Sequence, residues 1–173
     1  KSYSWESPFD FPNQSLFYHP KGLPQPNAPD FVDEIVKVAI PVINASQGRT
    51  FFLFTSHRAL QAAAKILDKK IKYPILVQGD KPKAILLDDF KQKGNAVLLG
   101  TASFWEGIDV RGEALSTVII DKLPLSSPGD PVLKARLEAM EKQGRKPFVE
   151  YQLPTAVIAL RQGIGRLIRD VND

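Results

Sequence analysis

The feature that most limits how this chain can fold is the alternation of short, continuously apolar segments with amphipathic helical segments. The apolar segments lie at 50–55, 73–77, 96–99 and 116–121. Strands that are apolar at successive positions are buried on both faces, and intervening helices pair such strands in parallel. We therefore expect an α/β fold of three layers, with a mostly parallel sheet between two helical layers.

Functional groups in such sheets gather in the loops that follow the carboxyl ends of the strands. In this sequence those loops are expected at 55–58, 78–81, 101–111 and 122–130. A site on this fold should therefore draw its side chains from these four segments.

Capping residues predict where several helices begin and end. Asp30 is expected to cap a helix that Pro41 kinks and Gly48 ends. Asp80 and Asp130, each followed closely by a proline, are expected to cap two further helices.

Residues 1–30 form a proline-rich arm that leads into a domain at 31–173. The six prolines of the arm favour an extended rather than a helical backbone. Its aromatic residues are unusual for a solvated linker, so we expect them to pack, by preference on this domain's own core and otherwise along a partner domain. They are Trp5, Phe9, Phe11, Phe17 and Tyr18.

Composition excludes several classes of protein. The chain has 173 residues, 43% of them hydrophobic and 24% charged, which suits one globular domain with its own core. It has no cysteine and only two histidines, so we expect no metal site and no disulfide. No apolar run is long enough to span a bilayer and no signal peptide is visible, so no membrane partner and a cytoplasmic location are expected. The net charge of +4 permits an anionic partner without requiring one.

The last helix, expected over about 154–169, carries a basic stripe. Gln162, Arg166 and Arg169 follow each other at i, i+4 and i+7, and Gly163 and Gly165 flank them. A glycine inside a helix costs about 1 kcal/mol relative to alanine, which suggests that something must approach this face closely. The alternative is a surface helix with solvated arginines. The opposite face is expected to be buried through Val157, Leu160, Ile164, Leu167 and Ile168.

Three motifs in order carry a family resemblance. The segment 162–169 reads Gln-x-x-Gly-Arg-x-x-Arg, 100–112 reads Gly-Thr-Ala-Ser-Phe-Trp-Glu-Gly-Ile-Asp-Val-Arg-Gly, and 53–58 reads Leu-Phe-Thr-Ser-His-Arg. They resemble motifs VI, V and IV of DinG/XPD-like superfamily 2 DNA helicases. The resemblance covers nearly the whole chain and is strongest to the DinG and YoaA-like branch, which implies a RecA-like fold and the second of two motor domains.

The resemblance implies an ATPase site between this domain and an N-terminal RecA-like motor domain of the same polypeptide. ATP and Mg²⁺ would lie in that cleft, with Mg²⁺ held mainly by the other domain. Gln162, Arg166 and Arg169 would be catalytic, the two arginines as arginine fingers on the phosphates. The implied nucleotide-binding set is Glu106, Gly107, Asp109 and Gly165, although a structural role for Glu106 as a cap of backbone donors is equally open.

The same resemblance implies that single-stranded DNA crosses the loops of the motifs at 53–58 and 100–112. Hydroxyl and guanidinium groups there suit phosphate contacts, which hold a strand without reading its sequence. The expected contact residues are Thr55, Ser56, Arg58, Thr101 and Ser103. His57 is expected to be a surface or helix-cap histidine, and Phe104 and Trp105 are expected to serve packing rather than base stacking.

Several parts of a complete helicase are missing from this sequence. There is no Gly-x-x-x-x-Gly-Lys-Ser/Thr loop, no Asp-Glu-Ala-His box and no set of four cysteines for the iron–sulfur cluster that many relatives carry. We expect those parts elsewhere in a larger polypeptide that acts in DNA repair or replication as a monomer, and we expect this fragment alone to be inactive.

Two other functions are considered. A phosphate-ester or sugar-nucleotide enzyme on a different doubly wound fold would need its own glycine loop or an Asp/His/Ser constellation, and neither is found. A degenerate helicase-like module that binds nucleic acid without catalysis is disfavoured by the complete motif at 162–169.

Overall fold

A four-stranded parallel sheet organises the domain. The computed structural model describes residues 10–101, 104, 110, 114–126, 129–165 and 167. Within these, every strand pairing is parallel and the strand order is β2-β3-β1-β4. The strands are β1 (Thr50–Phe54), β2 (Ile75–Val77), β3 (Val97–Thr101) and β4 (Thr117–Ile120). The predicted α/β class and parallel sheet are confirmed, with strand ends shifted by one or two residues.

The described helices connect and follow these strands. They are α1 (Phe11–Gln14), α2 (Phe31–Ala45), α3 (His57–Leu67), α4 (Lys83–Lys93), α5 (Pro131–Lys142) and α6 (Leu153–Ile164), with a π-helical turn at Phe148–Gln152 directly before α6. Among the described helices, none combines the length and the apolar character that a membrane crossing requires.

Two hydrophobic clusters cover the two faces of the sheet. Successive residues of β1 alternate between them, with Phe52 and Phe54 in the first cluster and Phe51 and Leu53 in the second. The first cluster also holds the buried faces of α2 and α3, and the second holds that of α4. Burial of each large apolar side chain contributes about 1.5–3 kcal/mol, so β1 stabilises the fold from both sides. The predicted three layers are present.

The turn between α2 and β1 needs a glycine. Gly48 has a φ of +86°, and a Cβ at this position would collide with the backbone carbonyl of Asn95. Its N–H donates to the carbonyl of Ile43 at 2.9 Å, which closes the end of α2. The glycine therefore allows the chain to turn tightly against the segment that precedes β3.

Of the three predicted helix caps, one is confirmed, one is confirmed in position only and one is wrong. Asp130 caps α5 as expected, because its Oδ1 accepts from the N–H groups of Val132 at 2.8 Å and Leu133 at 3.2 Å. Asp30 precedes α2 but makes no side-chain capping bond. The residue that precedes α4 is Pro82 rather than Asp80, since the chain first makes a bridge between Gln78 and Lys81 and enters the helix only afterwards.

The arm differs from the expectation in its described part. Phe11–Gln14 forms one helical turn although the prolines favour an extended backbone. Phe17 and Tyr18 are 80% and 60% exposed, so the expectation that these two rings pack on the domain's own core is wrong. Smaller residues, Leu23 and Ala28, pack against the first cluster instead. Trp5 and Phe9 lie outside the described residues.

Helix α6 ends earlier and faces differently than predicted. It stops at Ile164, with Gly165 as its C-cap and Leu167 in a turn, whereas the predicted helix reached about residue 169. Arg166 and Arg169 lie outside the described residues. Its buried residues are Ala156 and Gly163, whereas Val157 and Ile164, predicted to be buried, are 40% and 42% exposed. Glycine is a poor helix former, which accounts for the early end. Because α6 is apolar on more than one side, periodicity alone does not determine which side meets the core.

Candidate functional site

At the carboxyl end of the sheet, the segments that follow the two central strands, β1 and β3, pack in different clusters, and the region between Thr55 and Thr101 is named the crevice. After β1 the chain enters α3, which packs in the first cluster, whereas Phe104, shortly after β3, belongs to the second cluster. The chain therefore leaves these neighbouring strands toward opposite faces of the sheet. Such a divergence is the place where parallel α/β sheets bind ligands.

One wall of the crevice is held by a buried carboxylate. Asp121, directly after β4, accepts from the N–H of Thr55 at 3.1 Å and from its hydroxyl at 3.3 Å. It also accepts from the N–H of Lys122 at 2.8 Å. The side chain of Asp121 thus ties the residue that follows β1 to the residue that follows β4.

The other wall is held by a side-chain amide. The Oε1 of Gln78, directly after β2, accepts from the N–H of Thr101 at 2.7 Å and from its hydroxyl at 3.0 Å. Thr101 is the last residue of β3 and is only 7% exposed. Each central strand is therefore tied at its carboxyl end to the outer strand beside it.

These bonds determine what the two threonine hydroxyls can do. A hydroxyl has one proton, and those of Thr55 and Thr101 are donated to Asp121 and Gln78. A phosphate oxygen only accepts hydrogen bonds. Neither hydroxyl, as it is placed, can donate to a phosphate without first releasing its partner.

The residues that follow Thr55 face outward. Ser56 caps α3 by accepting from the N–H of Ala59 at 3.2 Å, so the proton of its hydroxyl is not used in the cap. His57 and Arg58 form the exposed first turn of α3. The surface position expected for His57 is confirmed, and Ser56 and Arg58 present a donor and a cation at the crevice.

The described part of the 100–112 motif is anchored in the core. Phe104 is 4% exposed and lies so close to Gly100 that a Cβ there would be 3.0 Å from its ring, which confirms the packing role expected for Phe104. The ammonium of Lys83 lies 5.4 Å from the centre of that ring. Leu167 packs against the same hydrophobic cluster.

The other predicted site residues lie at the end of α6 or outside the described residues. Gln162 is exposed on the last turn of α6, and Gly165 is exposed at its C-terminal cap. The remaining predictions fall outside the described residues and stay predictions: Ser103, Glu106, Gly107, Asp109, Arg166 and Arg169.

Sequence reasoning did not single out Gln78 or Asp121. Each is the first polar residue after an apolar run that forms a strand, and that position is the signal that could have found them. Burial raises the pKa of the Asp121 carboxyl above its ordinary value, and the hydrogen bonds from Thr55 and Lys122 offset only part of the rise.

The parallel sheet, with a crevice between diverging loops at its carboxyl end, places the chain among the α/β ligand-binding domains. A family model described as the helicase C-terminal domain matches residues 39–173. The chain belongs to this helicase C-terminal domain family, in agreement with the DinG/XPD-like resemblance of its motifs.

Two relatives and one solved structure illustrate the family. The chain is 49% identical over 167 residues to the ATP-dependent DNA helicase YoaA of Escherichia coli, covering 96% of this chain and 26% of that protein. It is 36% identical over 169 residues to the ATP-dependent helicase DinG of Mycobacterium tuberculosis, covering 96% and 25%. A solved XPD helicase shares the fold, with a TM-score of 0.66 at 22% identity over 85% of this chain and 27% of that one. The chain thus spans about a quarter of the length of each of these three proteins.

Proposed function

We propose that this chain is the second motor domain of an ATP-dependent DNA helicase, supplying arginine fingers to ATP hydrolysis and phosphate contacts to single-stranded DNA. The observation that carries the proposal is the family match over 39–173. Both relatives are named as ATP-dependent helicases, which supports the proposal.

The nucleotide side of the proposal involves the end of α6 and the 100–112 motif. Leu167, between the two arginines, packs against the cluster that contains Phe104 and Val110. The proposed ATP site is built from these arginines together with Glu106 and Asp109 of the 100–112 motif. We propose that Arg166 and Arg169 stabilise charge on the β/γ-phosphates, since planar guanidinium groups suit charge spread over several oxygens. Bound ATP would supply the γ-phosphoryl group that is transferred to water with ADP as the leaving group, and Mg²⁺ would be held mainly by the N-terminal motor domain.

The DNA side of the proposal involves the crevice. Ser56 and Arg58 are exposed beside it, and Lys122 lies at its β4 side. Contacts from these groups would be to phosphates, which give affinity without sequence selection. Thr55 and Thr101 contribute mainly by shaping the loops, because their hydroxyl protons are already donated within the domain.

The decisive experiment measures DNA-stimulated ATPase activity of the full-length polypeptide that contains this chain. Arg166→Ala and Arg169→Ala should each lower the rate at least about a hundredfold while nucleotide binding and melting temperature change little. Lysine at either position should not restore the rate, because an ammonium lacks the planar fork. Arg161→Ala is the matched control, since Arg161 is an exposed arginine of α6 that directly precedes the motif.

Two results would contradict the proposal. If Arg166→Ala unfolds the domain while the rate per folded molecule stays normal, that arginine is a structural ion-pair partner. If the full-length protein binds DNA but hydrolyses no ATP, the chain is a degenerate helicase-like binding module instead.

A further inference from the structure

Two polar side chains from the outer strands hold the two walls of the crevice, and the proposed function above gives neither a role. Asp121 binds both the N–H and the hydroxyl of Thr55, and Gln78 binds the same two groups of Thr101. We propose that Asp121 and Gln78 are positioning residues that hold the DNA-contacting loops of this domain in their binding geometry. The inference deepens the proposed function and rests on it.

The location of Asp121 explains how this residue can affect DNA binding. Thr55 lies between the end of β1 and Ser56, the cap of α3, so holding Thr55 also determines the direction in which α3 begins. The exposed groups of Ser56 and Arg58 follow within three residues. Binding groups act best when rotations of the backbone beneath them are already restricted.

A buried carboxylate such as that of Asp121 does not favour the stability of the folded domain. The carboxylate is 9% exposed, and burial disfavours its charged form. An additional negative charge beside a phosphate-binding loop also opposes DNA electrostatically. What the carboxylate does provide is two acceptor oxygens, which bind two backbone N–H groups and one hydroxyl at once.

Gln78 performs the equivalent task on the other wall without a charge. Its backbone N–H donates to the carbonyl of Leu99 at 2.9 Å, which extends the pairing of β2 with β3 by one residue. Its side chain then holds Thr101, the last residue of β3, which directly precedes the 102–112 segment. The direction in which that loop leaves β3 is thereby restricted.

The test measures binding of a fluorescent oligothymidine to the 173-residue chain, together with its melting temperature. Asp121→Ala should weaken binding about tenfold, the size of one lost charge-assisted contact, and lower the salt slope by about 0.7. Asp121→Asn should bind within about twofold of the unsubstituted chain, because its amide oxygen can accept from the N–H groups of Thr55 and Lys122 and its amide nitrogen can donate to the Thr55 hydroxyl oxygen, with the direction of that one bond reversed. Gln78→Ala and Gln78→Glu are the corresponding variants on the other wall. Gln78→Ala should weaken binding of the oligothymidine, whereas Gln78→Glu, which keeps an acceptor oxygen, should bind it as the unsubstituted chain does.

Asp68→Ala controls for charge. Asp68 is an exposed carboxylate at the far end of α3, so its loss changes net charge equally without touching the crevice. If Asp121→Ala binds DNA more tightly, as Asp68→Ala would by charge alone, Asp121 acts only through repulsion and the positioning role is overturned. If Asp121→Ala lowers the melting temperature but the folded protein binds normally, the residue is merely structural and the role is also overturned.

A double-substitution cycle identifies the group through which Asp121 acts. In an Arg58→Ala background, adding Asp121→Ala should weaken binding by less than about twofold, because the contact that Asp121 positions is already gone. Full additivity of the two losses would refute positioning of Arg58.

If the unsubstituted chain binds no oligothymidine at all, the proposed DNA-binding function itself fails and the positioning role fails with it. Normal binding by every Asp121 and Gln78 variant would refute the positioning role alone.

Discussion

The sheet and the C-terminal helical segment, 129–165, are stabilised in different ways. All residues of β1 and β3 are buried between the two hydrophobic clusters. The side chains of these clusters come from positions that range from Phe31 to Leu167. In the helical segment each described helix buries only two residues, such as Leu133 and Met140 of α5. It also exposes several large apolar side chains: Val132, Phe148, Val149, Val157, Ile158 and Ile164.

This difference in burial indicates that the sheet and the helical segment have different roles in the domain. The sheet carries its own core and presents Ser56 and Arg58 from a rigid base, so its part of the site is built by this chain. The helical segment leads to the arginines proposed for catalysis and depends little on the core of the sheet. We therefore expect substitutions in the sheet to act through stability and substitutions at the end of α6 to act through rate.

The largest effect expected from this comparison is on stability. Phe52→Ala, in the centre of β1, should lower the free energy of unfolding by about 3–5 kcal/mol, since it leaves a cavity at a fully buried site. Val157→Ser, on the exposed side of α6, should change it by no more than about 0.5 kcal/mol. Urea unfolding followed by circular dichroism measures both. A loss at Val157 as large as that at Phe52 would show that the two regions form one cooperative core.

A smaller effect is expected on DNA binding by the isolated chain. Because the sheet carries the phosphate contacts, the chain should bind single-stranded DNA weakly and without sequence preference. For about two phosphate contacts, the affinity should fall roughly sevenfold from about 50 to about 200 mM salt. Fluorescence anisotropy with oligothymidine and a mixed-sequence strand checks this. A preference for one sequence, or an affinity that salt does not change, would contradict backbone recognition.

The isolated chain should hydrolyse no ATP, even while it binds DNA. The proposed arginines alone cannot hold Mg²⁺-ATP for in-line attack. A phosphate-release assay with and without DNA measures this. DNA-stimulated turnover that persists after the protein is purified free of contaminating ATPases would overturn the assignment of this chain as one half of a two-domain site.

The smallest effect is the pH dependence that Asp121 contributes to stability. Its folded-state pKa is raised above the ordinary 3.8, so as pH rises from about that value the unfolded chain loses this proton before the folded chain does. The folded state binds more protons in that interval, and its stability falls as pH rises through it. Asn does not ionise, so Asp121→Asn removes this loss of stability and the variant should be at least as stable as the unsubstituted chain at pH 7. Below about pH 3.8 the difference in stability between the two proteins should vanish. Urea unfolding at the two pH values tests it, and a variant less stable at pH 7 would contradict it.

Much of the fold could be predicted because its signals are local. The four apolar segments became the four strands, and Asp130 followed by Pro131 correctly predicted the start of α5. Thr55, Ser56, Arg58 and Thr101 were correctly placed at the carboxyl end of the sheet, since a parallel sheet brings all such ends together. Helix α6 was predicted less well, because apolar residues on several sides leave its buried face undetermined.

The sequence by itself therefore determined the class of fold, the order of the motifs and the family, because each depends on residue types at short spacings. The tertiary structure alone decided which side chains meet. Asp121 contacts Thr55 across 66 positions of the sequence, and Gln78 contacts Thr101 across 23. No local pattern contains such distances, since they arise only when parallel pairing places β4 beside β1 and β2 beside β3. For the same reason, only the folded chain reveals that the two threonine hydroxyls predicted to bind DNA are already engaged within the domain.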